Sequence, residues 1–324
     1  MVENQEPALP PLQERPLVTF ALFAYNQQNY ICEAIEGAFA QTYEPLEIIL
    51  SDDCSTDRTF EIIEKMAAEY KGPHKIVCNR NLQNMGLSPH VRRVHEMSNG
   101  EIVIHAAGDD ISISSRTELI VRAFCRKTDD IMMVISNAIK LTPSGKEIGL
   151  LCKEADEPIT SKPKSPLRNN LPGANGCTAA IHKRLIDSFP APDSRIVVED
   201  VLLMRRALLL GSIQYIPNAL VRYRIGIGIS HTKLLAKFDF KKYLKNIEDQ
   251  ILRLKQFSED VSFLNASINK DTEEALRIDT KKLELTKCLL TKWEVTTLFR
   301  LAPLLSSRDW VNLFRAFLSK NFNL

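Results

Sequence analysis

Residues 102–112 read "IVIHAAGDDIS". The run is apolar from Ile102 onward and then sets Asp109 and Asp110 side by side. Adjacent carboxylates repel unless solvent, an arginine or a metal ion sits beside them. A short, continuous apolar run matches a strand buried on both faces of a parallel sheet. In open sheets of that kind, ligands bind beyond the carboxyl ends of the strands. An acidic pair at such an end therefore stands where a ligand crevice is expected.

The flanking sequence repeats the pattern. "LVTFALFAY" (17–25) is apolar and β-prone, and a helix follows over about 29–41 with Ile31, Ile35, Ala38 and Phe39 on one face. "LEIILSDD" (46–53) is a second strand, stopped by the turn and cap residues of "DDCSTD", and "TFEIIEKMAAEY" is its helix. "HKIVCNR" and a helix near 89–98 form the next cycle, and "SSRTELIVRAFCRK" is the helix after "EIVIHAA". Short strands alternating with helices predict an α/β fold with a mostly parallel central sheet. The first strand ends in Tyr25 and Asn26, the second in Asp52 and Asp53, the fourth in Asp109 and Asp110. These groups are expected along one edge.

Residues 150–172 lose all periodicity and read as a long surface loop. "ANGCTAAIHKRLID" and "RIVVEDVLLMRRALLLG" follow, the latter with Glu199 and Asp200 opening an apolar helix, where the dipole favours carboxylates. Strand-like "SIQYIPNALVRYRI" leads to "GIGISH". Beyond about 233 the chain reads as helical, with Phe240, Leu244, Ile247, Ile251 and Leu254 at helical spacing and a capping-box pattern, "DTEE", at 271–274. Three regions result: a polar, Pro-rich lead (1–16), an α/β domain (17–232) and a helical C-terminal region (233–324).

Net charge is +2, which gives no electrostatic case for nucleic acid. Seven scattered cysteines without CxxC spacing fit a reducing, cytoplasmic setting rather than a disulfide framework or a structural zinc site. The lead lacks the apolar core of a signal peptide, and no run of about 18 apolar residues predicts a membrane span.

Each polar cluster has two readings. Asp109–Asp110 is a solvated turn or a holder of Mg²⁺ or Mn²⁺, ions that take one or two carboxylates plus substrate phosphate. Asp52–Asp53 belongs to a capping turn or accepts from a base N–H or ribose hydroxyl. Glu199–Asp200 is a dipole pair or a general base. Tyr25 is a core aromatic or a stacking platform. His231 is exposed or a metal ligand. The remaining histidines form no ligand pattern.

The order of motifs resembles the inverting family 2 glycosyltransferases of the GT-A fold. The likeness runs through "VTFALFAYNQQNYICEAIEGAFAQTYEPLEIILSDDCSTD", "NRNLQNMGLS", "GEIVIHAAGDD", "NGCTAAIHKRLI" and "VVEDVLLMRRALLLG", over roughly 17–232. It implies a nucleotide-diphosphate donor, commonly UDP-linked, on Phe23, Ala24, Tyr25, Asn26, Asp53 and Asp109, with Tyr25 stacked on the base. It implies a divalent cation on Asp110, with His231 as a further ligand. Asp200 would be the catalytic base, supported by Glu199, and Gly173, Asn175, Gly176 and Arg224 would lie in acceptor or phosphate loops. The acceptor would be a glycan or a lipid-linked glycan in bacterial surface-polysaccharide assembly.

The C-terminal helices have two readings: packing on the catalytic domain or pairing copies into a homo-oligomer, or a peripheral contact with the inner face of the membrane through Trp310, Phe314 and Phe317 among Arg and Lys. Two other functions stay open at this point. One is a catalytically degenerate domain kept as a binding partner. The other is a sugar-phosphate nucleotidyltransferase, which wants a Gly-rich, Arg-bearing loop near the first strand; "FAYNQQNY" has neither Gly nor Arg.

Overall fold

The computed structural model describes residues 9–125, 130–153, 159–161, 176–197, 199–227, 239–265, 270–292, 297, 300–306, 309–313 and 315–316. The chain divides into two compact units. The first comprises residues 1–163, 170–189 and 199–231; the second comprises 164–169, 190–198 and 232–324.

The first unit is a mixed α/β sheet. β1 (Val18–Ala24), β2 (Leu46–Asp52), β3 (Lys75–Arg80) and β4 (Ile102–Ala107) pair in parallel, in the order β3-β2-β1-β4. β1 and β2 are buried at every position, as continuous apolar strands between two helical layers must be. α1 (Ile31–Phe39), α2 (Thr59–Glu69), α3 (Leu87–Met97) and α4 (Arg116–Phe124) supply those layers. α1 turns Ile31, Ala34, Ile35 and Ala38 inward, the face that the apolar spacing predicts.

Beyond β4 the sheet changes character. β5 (Ile111–Ser112) follows the acidic pair, and β6 (Ile131–Leu141) is a long buried strand with β7 (Glu147–Leu150) hairpinned onto it. β9 (Ala179–His182) inserts antiparallel between β4 and β6, and the single-turn α5 (Arg184–Asp187) follows it. β10 (Ser212–Arg224) pairs in parallel with β6 and antiparallel with β5. The long pairings are parallel and the antiparallel ones are short. Within the stretch expected to be loop (150–172), β8 (Ile159–Ser161) pairs antiparallel with β10. Three residues are too few to show a period, so the sequence does not reveal this strand.

Polar side chains lock the layers. Gln41 donates to the carbonyls of Gly37 and Ile113 and accepts from Thr117, which ties the end of α1 to the start of α4. Under β1, His95 Nε2 and His105 Nε2 lie 2.8 Å apart, so one carries the proton and the other accepts it. His90 Nε2 meets Ser51 Oγ at 2.7 Å. Phe23 stands edge-on to both His90 and His105.

Burial holds all three histidines below the usual imidazole pKa, with His105 at about 4 through burial and then the Arg116 charge. The unfolded chain therefore binds protons below about pH 6.5 that the folded chain refuses. Asp110 works the other way, because its folded pKa lies above the unfolded value. The histidines that bind fewer protons than in the unfolded chain outnumber the one carboxylate that binds more, so stability falls with pH between about 6.5 and 4.5. Urea midpoints measured across that range should fall steadily toward acid; a flat profile would contradict the neutral histidine cluster.

In the second unit α7 (Phe240–Phe263) and α8 (Lys270–Lys292) pack through Ile247, Ile251, Leu289 and Leu290. Asp239 caps α7 by accepting from Lys242 N–H at 3.0 Å. α8 begins at Lys270, which places Asp271 at the start of the helix, as the sequence pattern expects to within a residue. Among the described residues no helix is long and apolar enough to cross a membrane.

Candidate active site

The parallel register brings the strand ends together. Ala24 is level with Asp52, and Phe23 with Ala107. Asp53 N–H bonds to Ala24 O at 2.9 Å and Gly108 N–H to Phe23 O at 2.8 Å, so the three ends are stitched side by side. Gly108 lets the turn pass close to α1 and β1: a Cβ there would displace the Gln27 side-chain end and stand 3.0 Å from Ile31 Cδ1 and 3.2 Å from Ala24 Cβ.

The first two loops interlock. Asn26, in a left-handed conformation, donates its N–H to Ser55 Oγ at 2.8 Å, and its side chain accepts from Thr56 N–H. Asp52 is consumed by the turn, accepting from both the N–H and the hydroxyl of Ser55. Asp53 is 3 % exposed and reaches the other way. It accepts from Asn81 Nδ2, Met85 N–H and Gly86 N–H at 2.8–2.9 Å. Its carboxylate thereby fixes the 81–86 loop and the start of α3, where Gly86 takes φ +80°. Tyr25 is exposed at the rim.

The acidic pair of the fourth strand is buried on both residues. Asp110 Oδ1 accepts from Arg224 N–H at 2.8 Å. Oδ2 is buried and receives no N–H or O–H bond among the described residues, while the Cys177 thiol, a weak donor, faces the carboxylate. Burial, and then the adjacent Asp109, push the Asp110 pKa up to about 7. Arg224 is 2 % exposed; its guanidinium donates to Asp109 O at 2.7 Å and to the Glu33 carboxylate, and lies over the Tyr30 ring at 4.8 Å. It clamps the start of α1 to the turn that carries the acidic pair.

α6 (Glu199–Leu210) opens with the second acidic pair, Glu199 buried and Asp200 half-buried. Gly176 lies against it: a Cβ there would stand 3.8 Å from Glu199 Oε1 and 4.0 Å from Asp200 Oδ2. Cys177, next in sequence, touches Asp110. The Tyr223 hydroxyl is pushed up by burial and then by Cys177, Asp110, Asp109 and Asp200, which places this phenol among both acidic pairs. The fold therefore gathers Asp109, Asp110, Gly176, Glu199, Asp200 and Arg224 around one centre, with Tyr25, Asn26 and Asp53 along the same edge. Gly173, Asn175 and His231 lie outside the described residues.

Sequence reasoning did not single out Glu33, Tyr30, Arg116, Cys177 or Tyr223.

The donor set suits a hard divalent cation. Asp110 offers a buried oxygen without a strong donor, held near neutrality, and Asp109 is its neighbour. Among the described residues no group of three His, Cys, Asp or Glu converges as a cage. One or two carboxylates plus phosphate oxygens is how Mg²⁺ and Mn²⁺ are commonly held beside nucleotides.

In open α/β sheets ligands bind in the crevice beyond the carboxyl ends of the strands, which is where these carboxylates stand. Comparison with known proteins makes this specific: the family model "Glycosyl transferase family 2" matches residues 19–189, and the chain belongs to that family. Among curated relatives, the putative glycosyltransferase EpsE of Bacillus subtilis is 29 % identical over 148 residues, covering 43 % of this chain and 52 % of EpsE. Escherichia coli WfaP, a UDP-Glc:alpha-D-GlcNAc-diphosphoundecaprenol beta-1,3-glucosyltransferase, is 30 % identical over 100 residues, 31 % of this chain and 38 % of WfaP. The matched stretches thus span about half or less of these relatives. Among solved structures, S. aureus TarS 1-349 in complex with UDP-GlcNAc superposes with TM-score 0.58 at 15 % identity, covering 92 % of this chain and 81 % of that one. The mannosyltransferase PcManGT of Pyrobaculum calidifontis, in complex with GDP-Man and Mn²⁺, gives 0.55 at 13 %, covering 99 % and 91 %. At these identities the two structures establish the GT-A-like fold.

Proposed function

We propose that this protein transfers a sugar from a nucleoside-diphosphate donor, a UDP-sugar, to a hydroxyl of a glycan or lipid-linked acceptor, with inversion, in surface-polysaccharide assembly. The observation that carries the reading is the convergence of two acidic pairs on one centre, Asp109–Asp110 at a strand end and Glu199–Asp200 at a helix start. The relatives support the donor class, since TarS was solved with UDP-GlcNAc and WfaP is named for UDP-Glc.

The roles follow from position. Tyr25, exposed beside the locked 26–28 loop, stacks on the base. Asp53 fixes the 81–86 loop, so both walls of the base site depend on one carboxylate. Asp110, with Asp109, would hold a divalent cation, which when bound offsets the charge of the departing diphosphate. Arg224 sets the carboxylate through its N–H and anchors the turn through its guanidinium. Asp200 Oδ1 accepts from Val201 N–H at 2.7 Å, and Oδ2 lies on the Gly176 side. Oδ2 takes the proton of the acceptor hydroxyl as that oxygen attacks the anomeric carbon from the face opposite the leaving group. Gly176 leaves room for the acceptor against both carboxylates. Tyr223 fills the space between the two pairs and excludes water. Positioning and charge stabilisation provide most of the acceleration.

The test is a titration of UDP and GDP, each with and without Mn²⁺, on wild type and on Asp110→Ala. Binding of at least one nucleotide should depend on the metal and weaken tenfold or more, about 1.4 kcal/mol, in the variant. Binding indifferent to both would overturn the metal–diphosphate assignment.

A further inference from the structure

The second unit holds a groove that the transfer chemistry leaves without a role. Residues 193–197 cross α7 and are strapped to it by two buried side chains. Gln256 Oε1 accepts from Asp193 N–H at 3.0 Å, and Asp249 Oδ1 accepts from Val197 N–H at 2.7 Å. Arg253 donates to the other Asp249 oxygen at 2.8 Å, so this carboxylate is neutralised from within. The strap, one face of α7 and Lys287 of α8 bound a cavity of about 460 Å³.

Its lining is amphipathic. Ile251 and Leu252 of α7 and Val197 of the strap supply apolar surface. Arg195, Lys245, Lys255 and Lys287 bring cations from three separate chain segments. Lys245 has no ion pair among the described residues. The other three pair with Asp193, Glu284 and Glu248. The two lysine pairs have both partners roughly half-exposed, and the Arg195 head is mostly exposed. Exposed pairs are each worth about 1 kcal/mol or less, so they yield to a stronger anion. A phosphate group carries up to about two charges and three acceptor oxygens, and can engage several cations where a carboxylate satisfies one.

We propose that this groove seats the phosphate or diphosphate head of a lipid-linked acceptor, with the first carbons of the lipid chain on Ile251, Leu252 and Val197. The inference rests on the acceptor half of the function proposed above and names the part of the chain that holds it. A cavity of this size takes a headgroup and a few carbons, the range of small-molecule sites. The cations give the anion its hold. The apolar side gives preference for a head that carries a tail, at about 0.8 kcal/mol for each buried methylene.

Calorimetry with farnesyl diphosphate, inorganic pyrophosphate and farnesol, all in EDTA, tests it, because removal of metal silences the proposed nucleotide–diphosphate site. Wild type should bind farnesyl diphosphate at least tenfold tighter than pyrophosphate and should not bind farnesol. The double variant Lys245→Glu/Lys287→Glu should weaken farnesyl diphosphate at least tenfold, and the milder Lys245→Ala less, with both keeping wild-type thermal midpoints and metal-dependent UDP binding. Equal affinity for pyrophosphate and farnesyl diphosphate would leave only a free-phosphate site and overturn the lipid assignment. Farnesyl diphosphate binding unchanged in the double variant, or lost in Asp110→Ala instead, would place the ligand elsewhere and overturn the groove. Loss of UDP binding in wild type itself would be a failure of the donor reading, separate from any of these.

Discussion

Asp200→Asn should lower kcat by roughly 10²–10⁴-fold and leave UDP affinity unchanged. Asparagine keeps the shape of the side chain and an oxygen for the Val201 N–H bond, so α6 should start as before. It loses the capacity to take a proton at neutral pH. The native carboxylate sits in the first turn of α6, where the helix dipole favours an anion. Because the proton moves only as the acceptor oxygen attacks, kcat and kcat/KM for the acceptor should fall together. Saturating acceptor should not rescue the rate. Initial rates with wild type and variant at saturating donor measure this, with donor binding measured in parallel. A fall of less than tenfold would move the base to another group, and a matched loss of donor affinity would show that Asp200 holds the donor instead.

The legible part of this fold is what continuous apolar runs and turn chemistry can carry. β1, β2, β3 and β4 end within a residue or two of the sequence-based boundaries; β1, β2 and β4 are buried strands that read as continuous apolar runs, and the partly exposed edge strand β3 is bounded by polar residues. The expectation that their polar ends share one edge follows from parallel pairing alone, and the register of Ala24 with Asp52 and of Phe23 with Ala107 bears it out. The mixed half of the sheet beyond β4 is another matter. β6 is as apolar as β1, yet it stands after a break in the helix–strand rhythm. Its neighbours β9 and β10 come from more than 35 residues away in the chain.

The interior of the site was less legible still. Arg224 reads as one cation in "RYRI"; that its guanidinium would be buried between Glu33 and Asp109, residues distant in sequence, depends on β10 running beside β5. Arg116 opens an ordinary amphipathic helix in the sequence, and only its acceptors on Ser112, His105 and Cys177 explain why it is inside. Asp53 shows the opposite case. Its position at the strand end is plain, but its partners lie in the 81–86 loop, and backbone N–H groups have no signature in side-chain sequence.

That burial of Arg116 carries the second large effect: Arg116→Leu should cost about 3–5 kcal/mol of stability. The guanidinium is fully buried and donates to Ser112 Oγ at 2.8 Å, His105 O at 2.7 Å and Cys177 O at 2.8 Å. It also lies over the Phe20 ring at 5.8 Å. β9 pairs with β4 only as far as Ile104, so the His105 carbonyl stands beyond that ladder and the arginine takes the place of a strand. Replacing a buried ion pair as a whole by apolar groups is often harmless, but this change removes one member only. Two buried carbonyls lose their donor, at about 1–3 kcal/mol each, and the Asp110 carboxylate loses a nearby cation. Burial lowers the Arg116 pKa to about 10, which still leaves it charged at neutral pH, so the compensating charge is present in the native protein. Arg116→Lys should recover only part of the loss, since an ammonium cannot span three acceptors in the plane of a fork. Urea unfolding of the three proteins at neutral pH measures the series. The Leu variant should also bind UDP with Mn²⁺ more weakly, because Cys177 and Asp110 are the groups this arginine holds against each other. A stability loss below about 1 kcal/mol would mean that His105 and Cys177 find other donors and that the arginine is an accessory of the site rather than its keystone.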